Sequence, residues 1–424
     1  MILFLLKGLL RDRTRSLFPV LITASGVALT VLMMAWVDGI MNDFIDTSAN
    51  FDTGHLQVVT RALNEKYHPN IMELSLTETD TWHEILNREY PQVSWTSRIK
   101  FGGLLDVPGS NGETVSQAPV AGIAIDLFSP GSIEIERFKL YENVIKGRVP
   151  NQPGEILLSD AMFNKLNLKL GQTVSLIGSD MDGSIAVQSF QVSGTVSFGI
   201  QALDRGTILA GFQDIQSALN MQDAATEILG FYKAGYYPNE AANVVCLDFN
   251  RRYGQKQDLF DPVMISLGQQ SDVGEMIVMM DSLFSVIILI FIFIISIVLW
   301  NAGLMNGIRR YGEIGVRLAI GESKSNLYFS LVLEAVFIGI VGYIIGTILG
   351  LVPAYYLQEN GIDFSNLTRG TSMMMSPVYR AQVTTTSFWI GIVPGVVSPV
   401  IGALVSGIRI FKRETSQLFN ELEV

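Results

Sequence analysis

Four stretches of this chain are uncharged, or carry a single charge, over at least the twenty or so residues that a helix needs to cross roughly 30 Å of hydrocarbon. They are 17–37, 282–305, 327–358 with Glu334 as its one charge, and 383–408. In water such runs would need cover on every side, whereas in lipid they need none. They therefore predict four membrane-spanning helices, at 17–40, 276–305, 327–352 and 383–408. The first run follows basic residues, as a signal peptide would. Trp36, Val37 and Asp38 stand where a cleavage site would need small side chains, so it reads as an uncleaved anchor.

Basic residues then orient the spans. Lys7, Arg11, Arg13 and Arg15 precede span 1, Arg309, Arg310, Arg317 and Lys324 lie between spans 2 and 3, and Arg409, Lys412 and Arg413 follow span 4. The bias of Lys and Arg toward cytoplasmic loops places these segments, and with them both ends of the chain, inside. The loop 353–382 has only Arg369 and Arg380 as basic residues, and 41–275 carries 16 Lys and Arg against 29 Asp and Glu, so both are expected outside. Residues 1–16 join an apolar start to a basic end, which suits an interfacial helix on the inner leaflet and equally suits a plain insertion segment. Residues 409–424 read as a cytoplasmic tail, and the bacterial inner membrane is the expected location.

The segment 41–275 is long enough for a compact domain of two lobes. Alternating apolar and polar residues predict strands at 55–60, 173–178 and 184–196. Thr77 opens a T-E-T-D pattern suited to capping a helix through Trp82, Ile85 and Leu86, and shorter amphipathic helices are expected at 160–167 and 212–220. Gly, Pro, Asn and Ser concentrate at 106–119 and 145–155, which read as loops or lobe boundaries. The fold class predicted is thus membrane α-helical, with four transmembrane helices and a large α+β extracytoplasmic domain between helices 1 and 2. Both ends of that domain are continuous with spans, so a rigid rotation of it must move with those helices.

The same segment narrows the chemistry. Its acidity argues against a nucleic-acid partner, whose phosphates need a basic face. Cys246 is the sole cysteine, so no intrachain disulfide or cysteine zinc site can form, and His55, His68 and His83 fit no metal motif. No nucleophile elbow, His-Glu-x-x-His or dinucleotide loop occurs there, and its carboxylates read as solvated surface. No catalytic or metal-binding residue is expected.

The cytoplasmic stretch 306–326 is the most informative. A loop that merely joined two spans would be polar, yet RRYGEIGVRLAIG at 309–321 carries Ile314, Val316, Leu318, Ala319 and Ile320, apolar area that asks for a cover. Helical spacing sets Ile314 and Leu318 on one face with Arg310 and Arg317 at its edges, a knob for a soluble partner's groove. Gly342, Gly346 and Gly350 form a small-residue stripe on span 3 where another helix can approach, from this chain or from a second subunit. Glu334 reads either as a structural pairing near the inner interface or as part of an ion path. Met276, Met279 and Met280 ahead of span 2, and Met373, Met374 and Met375 in the outer loop, offer adaptable apolar surface. The first trio is where acyl chains would be admitted from the outer leaflet, with ordinary interfacial packing as the alternative.

Arg309, Arg310, Glu313, Ile314, Gly315, Arg317, Leu318, Ala319 and Gly321, followed by the helix from Leu331 to Gly339, resemble the MacB/FtsX-type ABC permease family. GHLQV at 54–58, GEILLSDAMFNKLNLKLGQTVSLIG at 154–178 and LDRGTILAGFQDIQSAL at 203–219 look like lipoprotein-releasing permeases of the LolC/LolE kind. Two departures stand out. Many relatives end in Pro-x-x-Ala-Leu-Arg where this chain ends FKRETSQLFNELEV, and Ile320 replaces a frequent Leu or Met.

The resemblance implies a permease without its own cofactor, whose ATP and Mg are bound by separate cytoplasmic ABC ATPase subunits. In keeping with that, Gly321 to Ser325 lacks the spacing of a phosphate-binding loop, and no such loop occurs elsewhere. It also implies a MacB-like periplasmic domain, the nine residues above as the ATPase-coupling set, a second permease copy or paralogue, and a periplasmic carrier or outer-membrane partner. Lipoprotein release is the leading function. Mechanotransmission and macrolide or peptide efflux are alternatives within the family, and a membrane receptor is one outside it.

Overall fold

The computed structural model describes residues 13–65, 72–109, 111–198, 201–233, 237–254, 258–309, 311–364 and 378–412. The chain divides into two compact units: Met1–Asn42 with Met279–Asp363 and Val378–Val424, and Asp43–Val278 with Phe364–Pro377. His68, Arg310, Arg369, Met373 to Met375, nearly all of the segment 1–16 and most of the tail 409–424 lie outside the described residues.

The first unit is helical. Among the described residues, four helices are long and apolar enough to cross a membrane. Span 1 runs Arg13–Ser48, span 2 Ser271–Arg309 and span 3 Lys324–Asn360; the division between the units falls inside the first two of these helices. Span 4 is interrupted: Thr385–Trp389 is followed by a wide turn, Val393–Val397, and then Ser398–Lys412. Pro394 lies in that turn, where its missing N–H and its ring bulk break the regular ladder. Backbone approach holds the spans together. A Cβ built on Gly346 would meet the Ala24 carbonyl oxygen at 2.5 Å, and one on Gly303 would meet the Pro399 carbonyl oxygen at 2.5 Å. Gln382 N donates to Ala35 O at 2.7 Å, and the Thr384 hydroxyl to Asp38 Oδ2 at 2.7 Å, bracing the outer end of span 1 against the start of span 4.

The second unit is α+β. Its strands are β1 (Leu56–Thr60), β2 (Leu76–Thr77), β3 (Val93–Pro108), β4 (Thr114–Ile125), β5 (Val144–Gly147), β6 (Glu155–Ser159), β7 (Thr173–Ser179), β8 (Ile185–Val196), β9 (Thr207–Gly211), β10 (Ala224–Ala225), β11 (Glu227–Tyr232) and β12 (Pro262–Ser266). β12, β1, β11 and the first half of β3 form an antiparallel layer, with β1 pairing both β12 and β11. The second half of β3 pairs β4, and from there β9, β6, β8 and β7 return to β3, closing a ring. Closure leaves those strands without a free edge. β3 is thus one 16-residue strand shared by two lobes.

Each lobe has its own core. Leu56, Val58, Ile228 and Met264 of the layer pack with Leu86 from Thr79–Glu89, with Tyr90 just past the end of that helix, and with Phe249 from Asn239–Tyr253. In the ring, Ile156 and Leu158 face one core while Leu157 faces another, and Ile208 and Leu209 divide likewise, as a two-residue period requires. That explains why β6 and β9 are buried along their whole length.

Two local expectations are corrected. The stretch 106–119 is not a loop: β3 and β4 pair through it, with Asp106 opposite Gln117, and the Gly and Asn cluster marks only the hairpin turn, where Gly112 takes φ +85°. Nor does Thr77 cap a helix. That helix starts at Thr79 behind Glu78 in a left-handed conformation, and its first turn is capped from afar by Asp223, which accepts from the Thr79 hydroxyl at 2.9 Å and Asp80 N at 3.0 Å.

Candidate functional site

The segment between spans 2 and 3 folds as a nine-residue helix, Tyr311–Ala319. Its end is set by local chemistry. Gly321 takes φ +100°, Gly321 N donates to Leu318 O at 3.0 Å, and Glu322 N donates to Arg317 O at 3.1 Å, the two reverse bonds of a Schellman stop. Ser323 then caps span 3 by accepting from Asn326 N. A bidentate pair, Arg317 Nε and Nη2 to the two Glu322 oxygens at 2.7 and 2.8 Å, spans the turn. Both side chains are solvent-accessible, so the pair contributes geometry more than stability.

The helix presents its faces differently from the expectation. Ile314 is only 5% exposed and packs with Tyr311, Leu327, Leu331, Ala335 and Ala403, and Leu318 lies against the same cluster. Ile314 is thus taken up by the chain's own bundle and Leu318 is half-buried against it, so the face they share is not the exposed one. The outward stripe is Glu313, Val316, Arg317 and Ile320, at successive spacings of three, one and three residues, with Ala319 beside it. Val316 and Ile320 are exposed, the latter to 82%. Gly315 is buried, and Arg309 closes the span 2 helix.

Tyr311, which the sequence did not single out, anchors the helix: its buried hydroxyl donates to Ser406 O of span 4 at 2.9 Å. A buried phenol needs such a partner, but nothing local in the sequence says that span 4 supplies it.

The glycine stripe of span 3 faces span 1 of the same chain. A Cβ on Gly342 would meet Thr23 Cβ at 2.7 Å, on Gly346 Val27 Cβ at 2.7 Å, and on Gly350 the Ala28 carbonyl oxygen at 2.7 Å. Glu334 is buried on the same helix. The methionine trio does not make one surface: Met279 is exposed, Met280 buried and Met276 half-buried.

A second charged cluster lies within the outward unit. Arg98 of β3 and Glu134 of the short helix Glu134–Arg137 are fully buried, with Nε to Oε1 at 2.9 Å and Nη2 to Oε2 at 2.7 Å, and the Thr96 hydroxyl adds 3.0 Å to Oε1. Arg98 stands over the Phe138 ring at 4.7 Å and Arg137 over Phe231 at 3.7 Å. Among the described residues no group of three or more His, Cys, Asp or Glu could hold a metal ion.

Comparison with known proteins bears on both units. Residues 16–243 match the family model for a MacB-like periplasmic core domain, and residues 285–415 match that for an FtsX-like permease C-terminal region. The crystal structure of the periplasmic region of MacB from Actinobacillus actinomycetemcomitans is similar to this chain at 14% identity, with a TM-score of 0.34, covering 50% of this chain and 89% of that one. No match was found among the curated proteins.

Proposed function

Because this chain belongs to the MacB/FtsX-type family of ABC transporter permeases, we propose that it converts ATP hydrolysis by a separate cytoplasmic ATPase into movement of its outward domain, which releases lipoproteins or related lipid-anchored substrates from the inner membrane. The observation that carries the reading is the outward stripe of the helix Tyr311–Ala319. Val316 and Ile320 leave apolar area in water beside a charged Arg317, while the opposite face is fixed to spans 3 and 4. An ATPase groove covering that stripe would push a helix that cannot move without the bundle. The tight Schellman stop supports this, since a stiff joint passes displacement to span 3 where a flexible loop would absorb it.

ATP and Mg belong to the partner, and a second permease copy or paralogue completes the assembly. A periplasmic carrier or an outer-membrane partner would accept what is released. The test is to purify the chain from its native membrane with whatever remains bound, and to measure ATP turnover with and without acylated peptide. Copurified lipoprotein and turnover stimulated by acylated peptide are the expected results. A bound envelope hydrolase, with turnover indifferent to acylated peptide, would replace release by mechanotransmission.

A further inference from the structure

Within the outward domain a cleft of about 370 Å³ opens where the two lobes meet. Its floor is β3 from Trp95 to Ser97. One wall is the helix Thr79–Glu89, which packs on the layer; the other is the helix Phe212–Ala218 of the ring, with the turn that follows β4. Clefts of this size at a junction of lobes are the usual place for a small molecule.

The lining is one-sided in charge. Asp80, Asp126 and Asp223 belong to it, and among the described residues no Lys or Arg does. His83 adds no positive charge: its Nε2 lies 2.8 Å from the Ser97 hydroxyl, and burial lowers its pKa against the opposing pull of Asp80. Asp126 and Asp223 each spend one oxygen on the fold. Asp126 Oδ1 accepts from Phe128 N at 3.3 Å and Ser129 N at 3.0 Å, and Asp223 Oδ1 accepts from the Thr79 hydroxyl and Asp80 N as described above. Among the described residues no hydrogen bond reaches the Oδ2 of either. Since no three acidic or histidine groups are placed there to hold a metal ion, the charge asks for a larger cation.

Three rings complete the lining, those of Trp95, Phe128 and Phe212. Ring faces and carboxylates both attract an organic cation, and the rings also cover its hydrocarbon. The carboxylates stand at two stations. Asp126 lies two residues before Phe128, whose ring is placed at the start of the second wall: a Cβ on Gly211 would meet its Cε2 at 2.8 Å. Asp223 lies further along, next to Ala224, whose carbonyl accepts from Gln216 Nε2 at 3.0 Å. Phe212 and Gln216 are about one turn apart on the same helix, roughly 6 Å, a gap that about four methylenes bridge.

We propose that this cleft binds a small aliphatic diamine, one ammonium at Asp126 and the other at Asp80 and Asp223, with the hydrocarbon between the rings. Every residue involved lies in the outward domain, so the inference stands apart from the permease reading. Because the walls come from both lobes, occupancy ties the lobes together.

The test is calorimetric titration of the full chain in detergent with 1,4-diaminobutane. Saturable binding at one site per chain is expected, with amide hydrogen exchange slowed at 79–83 and 212–216 together. Asp126→Asn and Asp223→Asn each keep the acceptor that the fold uses, so the domain's urea transition should stay in place while binding weakens about ten-fold. Butylamine, which fills one station only, should bind the wild-type chain about ten-fold more weakly than the diamine. Absence of saturable binding would overturn the site. Binding that both Asn variants leave unchanged would overturn it too, assigning the affinity to diffuse attraction by an acidic domain. Butylamine binding as tightly as the diamine would overturn the two stations, and that comparison needs no variant to fold.

Discussion

Where spans 1 and 3 cross, the contact is glycine against backbone, with Gly346 and Gly350 over the Ala24 and Ala28 carbonyls; at the centre of the outward domain, the contact is an arginine and a glutamate sealed under two phenylalanine rings. The difference follows from the solvent. Lipid gives helices no hydrophobic reason to associate, so close approach and dispersion must do it, and small residues permit that approach. Water drives large side chains inward, and a domain covered by enough of them can retain a charged pair whose members bond each other in two places. The bundle is therefore sensitive to atoms added, and the domain to atoms removed.

The largest effect expected from this contrast is at Glu134. Glu134→Ala strands the Arg98 guanidinium in a fully buried place and takes the acceptor from Thr96, and should cost about 3–5 kcal/mol of domain stability, read from urea unfolding of the purified chain. Replacing both members by Met should recover most of that loss, since the penalty belongs to the unpaired charge. A double variant as unstable as the single one would show that the pair itself holds the lobes together.

Next comes acid. His55 is buried, and its Nδ1 accepts from Tyr232 N at 3.1 Å, so it must be neutral in the folded domain. Burial, with the nearby Arg137 charge adding to it, pushes its pKa down to about 4. The unfolded chain takes up this proton from about pH 6.5 downward while the folded domain resists it until about pH 4, so stability is full above 6.5 and falls across that window, by roughly 3 kcal/mol. His55→Asn, which keeps an acceptor without a titration, should flatten the slope in unfolding measured between pH 4 and 7. A slope unchanged by that substitution would assign it to other groups.

In the bundle the sign reverses. Gly346→Val adds atoms where a Cβ would already lie 2.5 Å from the Ala24 oxygen, and should cost about 1–3 kcal/mol of bundle stability while leaving the domain's urea transition in place. A variant that destabilises both transitions would break the contrast.

How much of this was readable beforehand depends on the range of the interaction. Span length and flanking charge are local, so four long helices and an α+β insertion were legible. The strands at 55–60, 173–178 and 184–196 were legible too, because each alternates within its own run and falls on β1, β7 and β8. The cap on Thr79 was not, because its acceptor, Asp223, lies 144 residues away. The same holds for the Tyr311 hydroxyl and Ser406, 95 residues apart, and for Lys100 with Asp52. The helix at 311–319 shows the limit most clearly. Periodicity put Ile314 and Leu318 on one face correctly, but only tertiary packing says that this face turns inward and the other outward.

That two-faced helix gives the smallest effect on stability. Ile320→Asp changes a side chain that is 82% exposed, touching no core, and should alter bundle stability by no more than about 0.5 kcal/mol. Ile314→Asp would bury a carboxylate beside Leu327 and Leu331 and damage the bundle by several times that amount. Loss of the ATPase means different things in the two variants, since after Ile314→Asp it follows from a disordered bundle. After Ile320→Asp, or Val316→Asp, loss of the ATPase from an otherwise intact chain would locate the motor on the outward stripe, because an aspartate there meets the partner and nothing else. ATPase copurifying in full with both of these variants would move the contact to another surface, and would reduce Tyr311–Ala319 to a brace between spans 2, 3 and 4.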